Sequence, residues 1–132
     1  MAKKLNALII DDDGNFRKYL RNIMGEYFPT FAVNEAADAE DGQKAIHDLK
    51  PEIIFVDIRL PGKNGITLTK EIKDINHSII VIIITGYNIP EYRLEAKRLG
   101  ADAFIAKDST NTGKIVTEIK KCLSKIDSGQ AK

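Results

Sequence analysis

The sequence predicts an α/β fold, a parallel sheet covered by helices on both faces. Two observations carry this. Short β-branched runs alternate strictly with stretches of helical spacing along the whole chain. Two of the runs, Ile53-Ile54-Phe55-Val56 and Ile79-Ile80-Val81-Ile82-Ile83-Ile84, are apolar at every position. Strands of that kind belong in the middle of a sheet buried on both sides, which means a parallel one.

Strands are expected over Leu5–Ile10, Phe31–Glu35, Ile53–Val56, Ile79–Ile84 and Ala103–Ile105. The first helix is marked by Phe16, Leu20, Ile23, Met24 and Tyr27 at helical spacing. Ala45, Ile46 and Leu49 mark the second, with Asp38 as its N-cap and Gly42 as an internal weak point. Leu68, Ile72 and Ile75 mark the third. Pro90 suits the first turn of the fourth, which should stop near Gly100. The apolar stripe Ile115, Val116, Ile119, Cys122, Leu123 and Ile126 defines the last. Right-handed crossovers then favour a flavodoxin-like, doubly wound five-stranded sheet of order 2-1-3-4-5 with five helices.

The 132 residues suffice for one domain, expected over 1–126, with a small polar tail at 127–132 that should fray. With 20 basic and 19 acidic residues, bulk charge does not drive binding to nucleic acid or a membrane surface. The single cysteine, Cys122, permits no internal disulfide and suggests no cysteine zinc site. The apolar run ending at Ile10 is too short to span a membrane, and aspartates follow it, unlike a secretion signal. A cytoplasmic setting follows. His47 and His77 are far apart and read as exposed side chains, not metal ligands.

In doubly wound folds ligands bind beyond the carboxyl ends of the strands. There the sequence sets Asp11-Asp12-Asp13 after the first strand, Asp57 after the third, Thr85-Gly86 after the fourth and Lys107 after the fifth. Any one of these is ordinary as a turn residue or a solvated charge; together they are a poor coincidence. Clustered carboxylates repel unless a cation joins them, and an oxygen-only ligand set suits Mg²⁺. A lysine and a hydroxyl beside that ion complete a phosphate site, and the remaining carboxylate can act as a nucleophile.

These residues resemble the response-regulator receiver domain of two-component signal transduction. The likeness runs from Lys4 to Ile126. Its pieces are Ile9-Ile10-Asp11-Asp12, Val56-Asp57-Ile58-Arg59-Leu60-Pro61-Gly62-Lys63-Asn64-Gly65, Thr85-Gly86 and Gly100-Ala101-Asp102-Ala103-Phe104-Ile105-Ala106-Lys107. The resemblance implies that Asp57 takes a phosphoryl group from a sensor histidine kinase or a phosphotransfer protein. It implies that Asp11, Asp12, Asp57 and the Arg59 carbonyl hold Mg²⁺, and that Lys107 pairs with the phosphate. Thr85 and the Gly86 N–H would turn to the phosphate, and Phe104 would be the aromatic switch. The readout surface would be the fourth helix, fifth strand and fifth helix, where Tyr87, Tyr92, Arg93, Lys97 and Arg98 lie on or near the fourth helix. A downstream target or an output domain outside these residues would read it, without direct nucleic-acid or membrane binding by this domain. Such a receiver assists its own phosphorylation and dephosphorylation and is not an enzyme acting on separate substrates.

The sequence departs from the family at Asp108, where proline after a cis bond is usual; a non-proline cis bond costs about 2.5–4 kcal/mol, so a trans bond is expected. Arg59 sets a long cation near the site and is expected to alter how fast phosphate is lost. Three other readings compete. Asp11-Asp12-Asp13-Gly14 fits the opening motif of haloacid-dehalogenase-type phosphatases, with Asp11 as nucleophile and Asp13 as general acid. That reading leaves Asp57–Gly65 unexplained and lacks the later acidic pair. A receiver-like binding module that is never phosphorylated is the second. The third, a flavin-binding flavodoxin, lacks a Gly/Ser/Thr-rich phosphate loop after the first strand.

Overall fold

A computed structural model describes the backbone of residues 5–130 and the side chains of residues 5–125. The strands are β1 (Leu5–Ile10), β2 (Phe31–Ala36), β3 (Ile53–Val56), β4 (Ile80–Thr85) and β5 (Ala103–Ala106). The helices are α1 (Gly14–Tyr27), α2 (Ala39–Leu49), α3 (Gly65–Ile75), α4 (Pro90–Arg98) and α5 (Thr112–Gln130). All strand pairs are parallel, in the order β2-β1-β3-β4-β5. This is the flavodoxin-like arrangement the alternation predicts. Strand bounds differ from expectation by one residue at the ends of β2, β4 and β5. Helix α5 runs through Gln130, beyond the boundary expected at Ile126. The expectation for 131–132, and for the side chains from Ile126 onward, lies outside the described residues.

Strand alternation splits the core into two layers. Ala7, Ile9, Ile53, Phe55, Ile82, Ile84 and Ile105 face α1 and α5, meeting Leu20, Met24, Ile115 and Ile119. Leu8, Ile10, Ile54, Val56, Val81 and Ile83 face the other way, toward Ile46, Leu68, Ile72 and Ala96. Every residue of β3 and β4 is buried, which is why those runs show no polar alternation. Cys122 is buried in the first layer, as its place on the α5 stripe suggests.

Local chemistry sets the helix ends. Asp38 caps α2 by accepting from the Asp41 N–H, and Asn64 caps α3 by accepting from Ile66. Pro90 opens α4, and Gly100, at φ +100°, follows its end. Two expected apolar positions face water instead: Tyr27 is 45% exposed and Ile75 73%. Both occupy the last turn of their helices, where the stripe runs past the edge of the sheet.

Gly42 is more than a weak point in α2. A Cβ there would meet the Ile10 side chain at 2.8 Å, so glycine lets α2 lie directly on β1. At the amino edge of the sheet Asp102 ties three elements together. Its carboxylate accepts from the Val81 N–H at 2.9 Å, Lys73 of α3 at 2.8 Å and Lys125 of α5 at 3.2 Å. Lys73 also reaches the carbonyls of His77 and Ile79, so it keeps partners if Asp102 is lost. Asp102→Ala should therefore cost about 1–2 kcal/mol, the worth of the charge-assisted bonds removed. Urea unfolding should show a lower midpoint at unchanged slope; an unchanged midpoint would mean the network contributes nothing.

Candidate functional site

The sheet register brings the polar strand ends together. Ile10 pairs with Val56 and Val56 with Ile83, so Asp11 and Asp57 leave adjacent strands at the same level. The Asp57 N–H continues the ladder, donating to the Ile10 carbonyl at 3.0 Å. Thr85 pairs with Ala106, which sets Lys107 one residue beyond it.

Lys107 closes the cluster. Its Nζ lies 2.7 Å from Asp11 Oδ2 and 3.2 Å from Asp57 Oδ2. The other oxygens are also engaged: Asp11 Oδ1 accepts from the Asp13 N–H at 2.9 Å, and Asp57 Oδ1 from the Ile58 N–H at 2.7 Å. Asp11 and Asp57 are buried, while Asp12 is exposed. One carboxylate oxygen from each of Asp11, Asp12 and Asp57 lies within 4.8 Å of the others, a spacing that one cation could bridge. Asp12 and Arg59 line the same shallow depression, together with Lys63 and Asn64.

Burial pushes the Asp11 carboxyl above the usual aspartate range. The Lys107 hydrogen bond, the Asp13 N–H and the Lys107 charge all oppose this, and Asp57 adds to it. Burial likewise works against the Lys107 charge. The Asp11 hydrogen bond, with the charges of Asp11 and Asp57, more than offsets it and lifts the ammonium above the usual lysine value. The two shifts pull opposite ways on one ion pair. The 2.7 Å contact is that of an ion pair, so the rise at Asp11 marks how far a single lysine falls short of what its burial demands.

Thr85 is fully buried at the end of β4, its Oγ1 accepting from the Tyr87 N–H at 3.2 Å. Phe104, half-buried on β5, carries the Arg93 guanidinium 4.5 Å above its ring. Arg93 also donates to the Phe104 carbonyl at 3.4 Å and to Asn88 Oδ1 at 3.0 Å. Among the described residues no peptide bond is cis, so Lys107–Asp108 is trans, as expected. The loop past Lys107 turns as a short 3₁₀ helix, Lys107–Ser109, with Asp108 exposed.

Four contributors escape a reading of the sequence. Gly65 donates its N–H to the Ile58 carbonyl at 2.7 Å, and a Cβ there would fall 2.0 Å from the Asp57 carbonyl oxygen. Only glycine lets α3 start so close beneath the acceptor. Arg17 donates to the Asp11 carbonyl at 2.6 Å and to Glu35 at 2.9 Å, pinning the first acidic loop. Tyr87 lies under the Arg59 guanidinium, 4.2 Å from its ring centroid. Phe16 faces Lys107 Nζ at 4.3 Å. Gly65 lies within the recognised motif; nothing in the linear spacing marks the other three. Asp13 is accounted for differently from the phosphatase reading. It caps α1, its Oδ1 accepting from the N–H groups of Asn15 and Phe16.

A doubly wound α/β domain that gathers buried aspartates under one lysine at its carboxyl edge defines an acidic, phosphate-receiving class of site. The chain belongs to the response regulator receiver domain family, whose model matches residues 7–120. That family is one of signal-receiving domains rather than of enzymes. The chain is 34% identical to the chemotaxis protein CheY of Halobacterium salinarum, covering 81% of this chain and 86% of that one. It is 32% identical to the transcriptional regulatory protein AruR of Pseudomonas aeruginosa, covering 99% of this chain but 54% of AruR. The chain thus spans about half the length of AruR and less of several other relatives. A CheY-like receiver domain protein from Methanospirillum hungatei superposes with a TM-score of 0.87 at 27% identity, covering 96% and 99% of the two chains. The acidic pocket of Asp11, Asp12 and Asp57 fits phosphoryl acceptance, and the phosphatase alternative is not favoured.

The raised Asp11 value has a sign for stability. In the folded chain this carboxyl holds its proton above 3.8, so ionised Asp11 costs stability when no divalent ion is present. The cost is absent below the unfolded value and grows as pH climbs through the folded one. Relative to Asp11→Asn, which cannot ionise, the parent should lose stability across that window and then level off. Urea unfolding at stepped pH in chelator checks this; a pH-independent difference would refute it.

Proposed function

We propose that this chain is a phosphorylation-dependent switch whose Asp57 accepts a phosphoryl group from the phosphohistidine of a sensor histidine kinase or phosphotransfer protein. The observation that supports this best is Lys107 lying between Asp11 and Asp57, 2.7 and 3.2 Å away. A lysine so placed meets a phosphoryl oxygen arriving at Asp57 without leaving its position. In the transfer an Asp57 carboxylate oxygen attacks phosphorus, the P–N bond breaks and the histidine nitrogen departs with the electron pair.

The donor set is hard oxygen and acidic, which fits Mg²⁺. Asp11, Asp12, Asp57 and the Arg59 carbonyl are the residues that would hold it. When bound, the ion supplies positive charge to the phosphoryl oxygens. The chain's own residues do the rest. Lys107 neutralises a phosphoryl oxygen, and Thr85 turns its hydroxyl toward the group with the Gly86 N–H beside it. Moving Thr85 vacates space for the Phe104 ring, so a charge event at a strand end biases α4 and β5. Driving such a switch from nearly off to nearly on needs roughly 5.5 kcal/mol of differential stabilisation.

The switch acts from a domain over 1–126, whose last helix, α5, continues through Gln130. It works in the cytoplasm, and a protein target or an output domain reads it; it binds neither nucleic acid nor membrane itself. No helix among the described residues is long and apolar enough to cross a membrane. Relatives such as AruR are longer than this chain, which fits a receiver joined to an output module.

Incubation with acetyl phosphate and Mg²⁺, followed by intact-protein mass spectrometry, should add one phosphate to the parent and none to Asp57→Ala. A chelator should abolish the gain. Uptake that survives Asp57→Ala but vanishes in Asp11→Ala would favour the phosphatase reading instead. The Arg59–Tyr87 stack joins the loops after β3 and β4, where it would hinder water from reaching a phosphate on Asp57. Arg59→Ala should therefore shorten the phosphate half-life roughly two- to fivefold, the worth of an exposed cation–π contact. Equal half-lives would refute that role.

A further inference from the structure

Lys107 has a third neighbour besides its two carboxylates. The face of Phe16 lies 4.3 Å from Nζ, within the roughly 6 Å over which a ring attracts a cation. An ammonium carries three donors on a flexible four-carbon stem, so two carboxylates alone leave it free to swing.

The backbone does little to restrain it. Lys107 heads a single turn, Lys107–Ser109, followed by an exposed Asp108. Phe16, by contrast, is fixed on several sides. Its N–H donates to the Asp13 cap at 3.2 Å, and its ring packs against the layer under α1 and α5. The Tyr19 ring lies 5.8 Å away, and the Tyr19 hydroxyl shares a 2.7 Å hydrogen bond with Thr112 of α5. The aromatic face is thus a rigid stop carried by α1.

We propose that Phe16 is a positioning residue for phosphoryl transfer, its ring face holding the Lys107 ammonium above Asp11 and Asp57. The inference rests on Asp57 being the acceptor. When the Asp57 oxygen–phosphorus bond forms and acetate leaves acetyl phosphate with the electron pair, Lys107 must pass from Asp57 Oδ2 to a phosphoryl oxygen. The ring keeps the ammonium in place through that exchange, and Lys107 keeps its proton throughout. A purely space-filling residue would do as well if aliphatic; this one needs a π face.

The full chain carrying Phe16→Leu, Phe16→Met or Phe16→Tyr is phosphorylated with acetyl phosphate and Mg²⁺, with folding verified by circular dichroism. The aliphatic variants should react roughly two- to fivefold slower, and Phe16→Tyr at near the parent rate. In a Lys107→Ala background, Phe16→Leu should change nothing further. Independently of activity, the Lys107 ε-methylene protons should be shifted upfield by the ring current in the parent and Phe16→Tyr, and return to ordinary positions in Phe16→Leu. Parent-like rates in both aliphatic variants, or an equal slowing when Lys107 is absent, would overturn the inference while leaving Asp57 as acceptor. No uptake by the parent would overturn both.

Discussion

The structure turns on one unbalanced charge arrangement: two buried carboxylates, Asp11 and Asp57, sharing a single lysine. Burial lifts the Asp11 carboxyl, the Lys107 hydrogen bond and charge only partly offset it, and the Asp57 charge adds to it. One carboxylate oxygen from each of Asp11, Asp12 and Asp57 lies close enough to the others for one cation to bridge them. The rest of the fold serves to keep this tension at the strand ends, where an apolar two-layer core cannot relax it.

Holding the site open at the right width depends on close backbone approaches. Gly65 lets α3 begin against the Asp57 carbonyl, and Gly42 lets α2 rest on Ile10, the residue just before Asp11. Both strands that carry the acids are thus braced by helices at contact distance. At the far edge, Asp102 joins β4, α3 and α5, so the two ends of the sheet are secured by different chemistry: tight packing above and a charge network below.

The site also has a periphery of cations over rings. Lys107 lies on Phe16, Arg59 on Tyr87 and Arg93 on Phe104. Each pair couples a loop or strand near the site to a neighbouring element by a weak, reversible contact. Arg93 thereby joins the Phe104 ring to Asn88 in the β4–α4 loop.

The sequence alone determined the fold and which polar residues stand at the strand ends. Fully apolar β3 and β4 demanded a sheet covered on both faces, and strict alternation with right-handed crossovers favoured the strand order observed. Because parallel strands all end at the same edge, a polar residue after each strand was already a statement about proximity. Tertiary structure decided how those residues meet. Which carboxylate oxygens Lys107 takes depends on the sheet register and side-chain torsions. The roles of Phe16 and Arg17 depend on the angle at which α1 leaves Asp13. Helical spacing marked Tyr27 and Ile75 as core, yet the sheet ends before it reaches them. Periodicity reports which face of an element turns inward; how far the covering layer extends, and which cation rests on which ring, is fixed only when the elements pack.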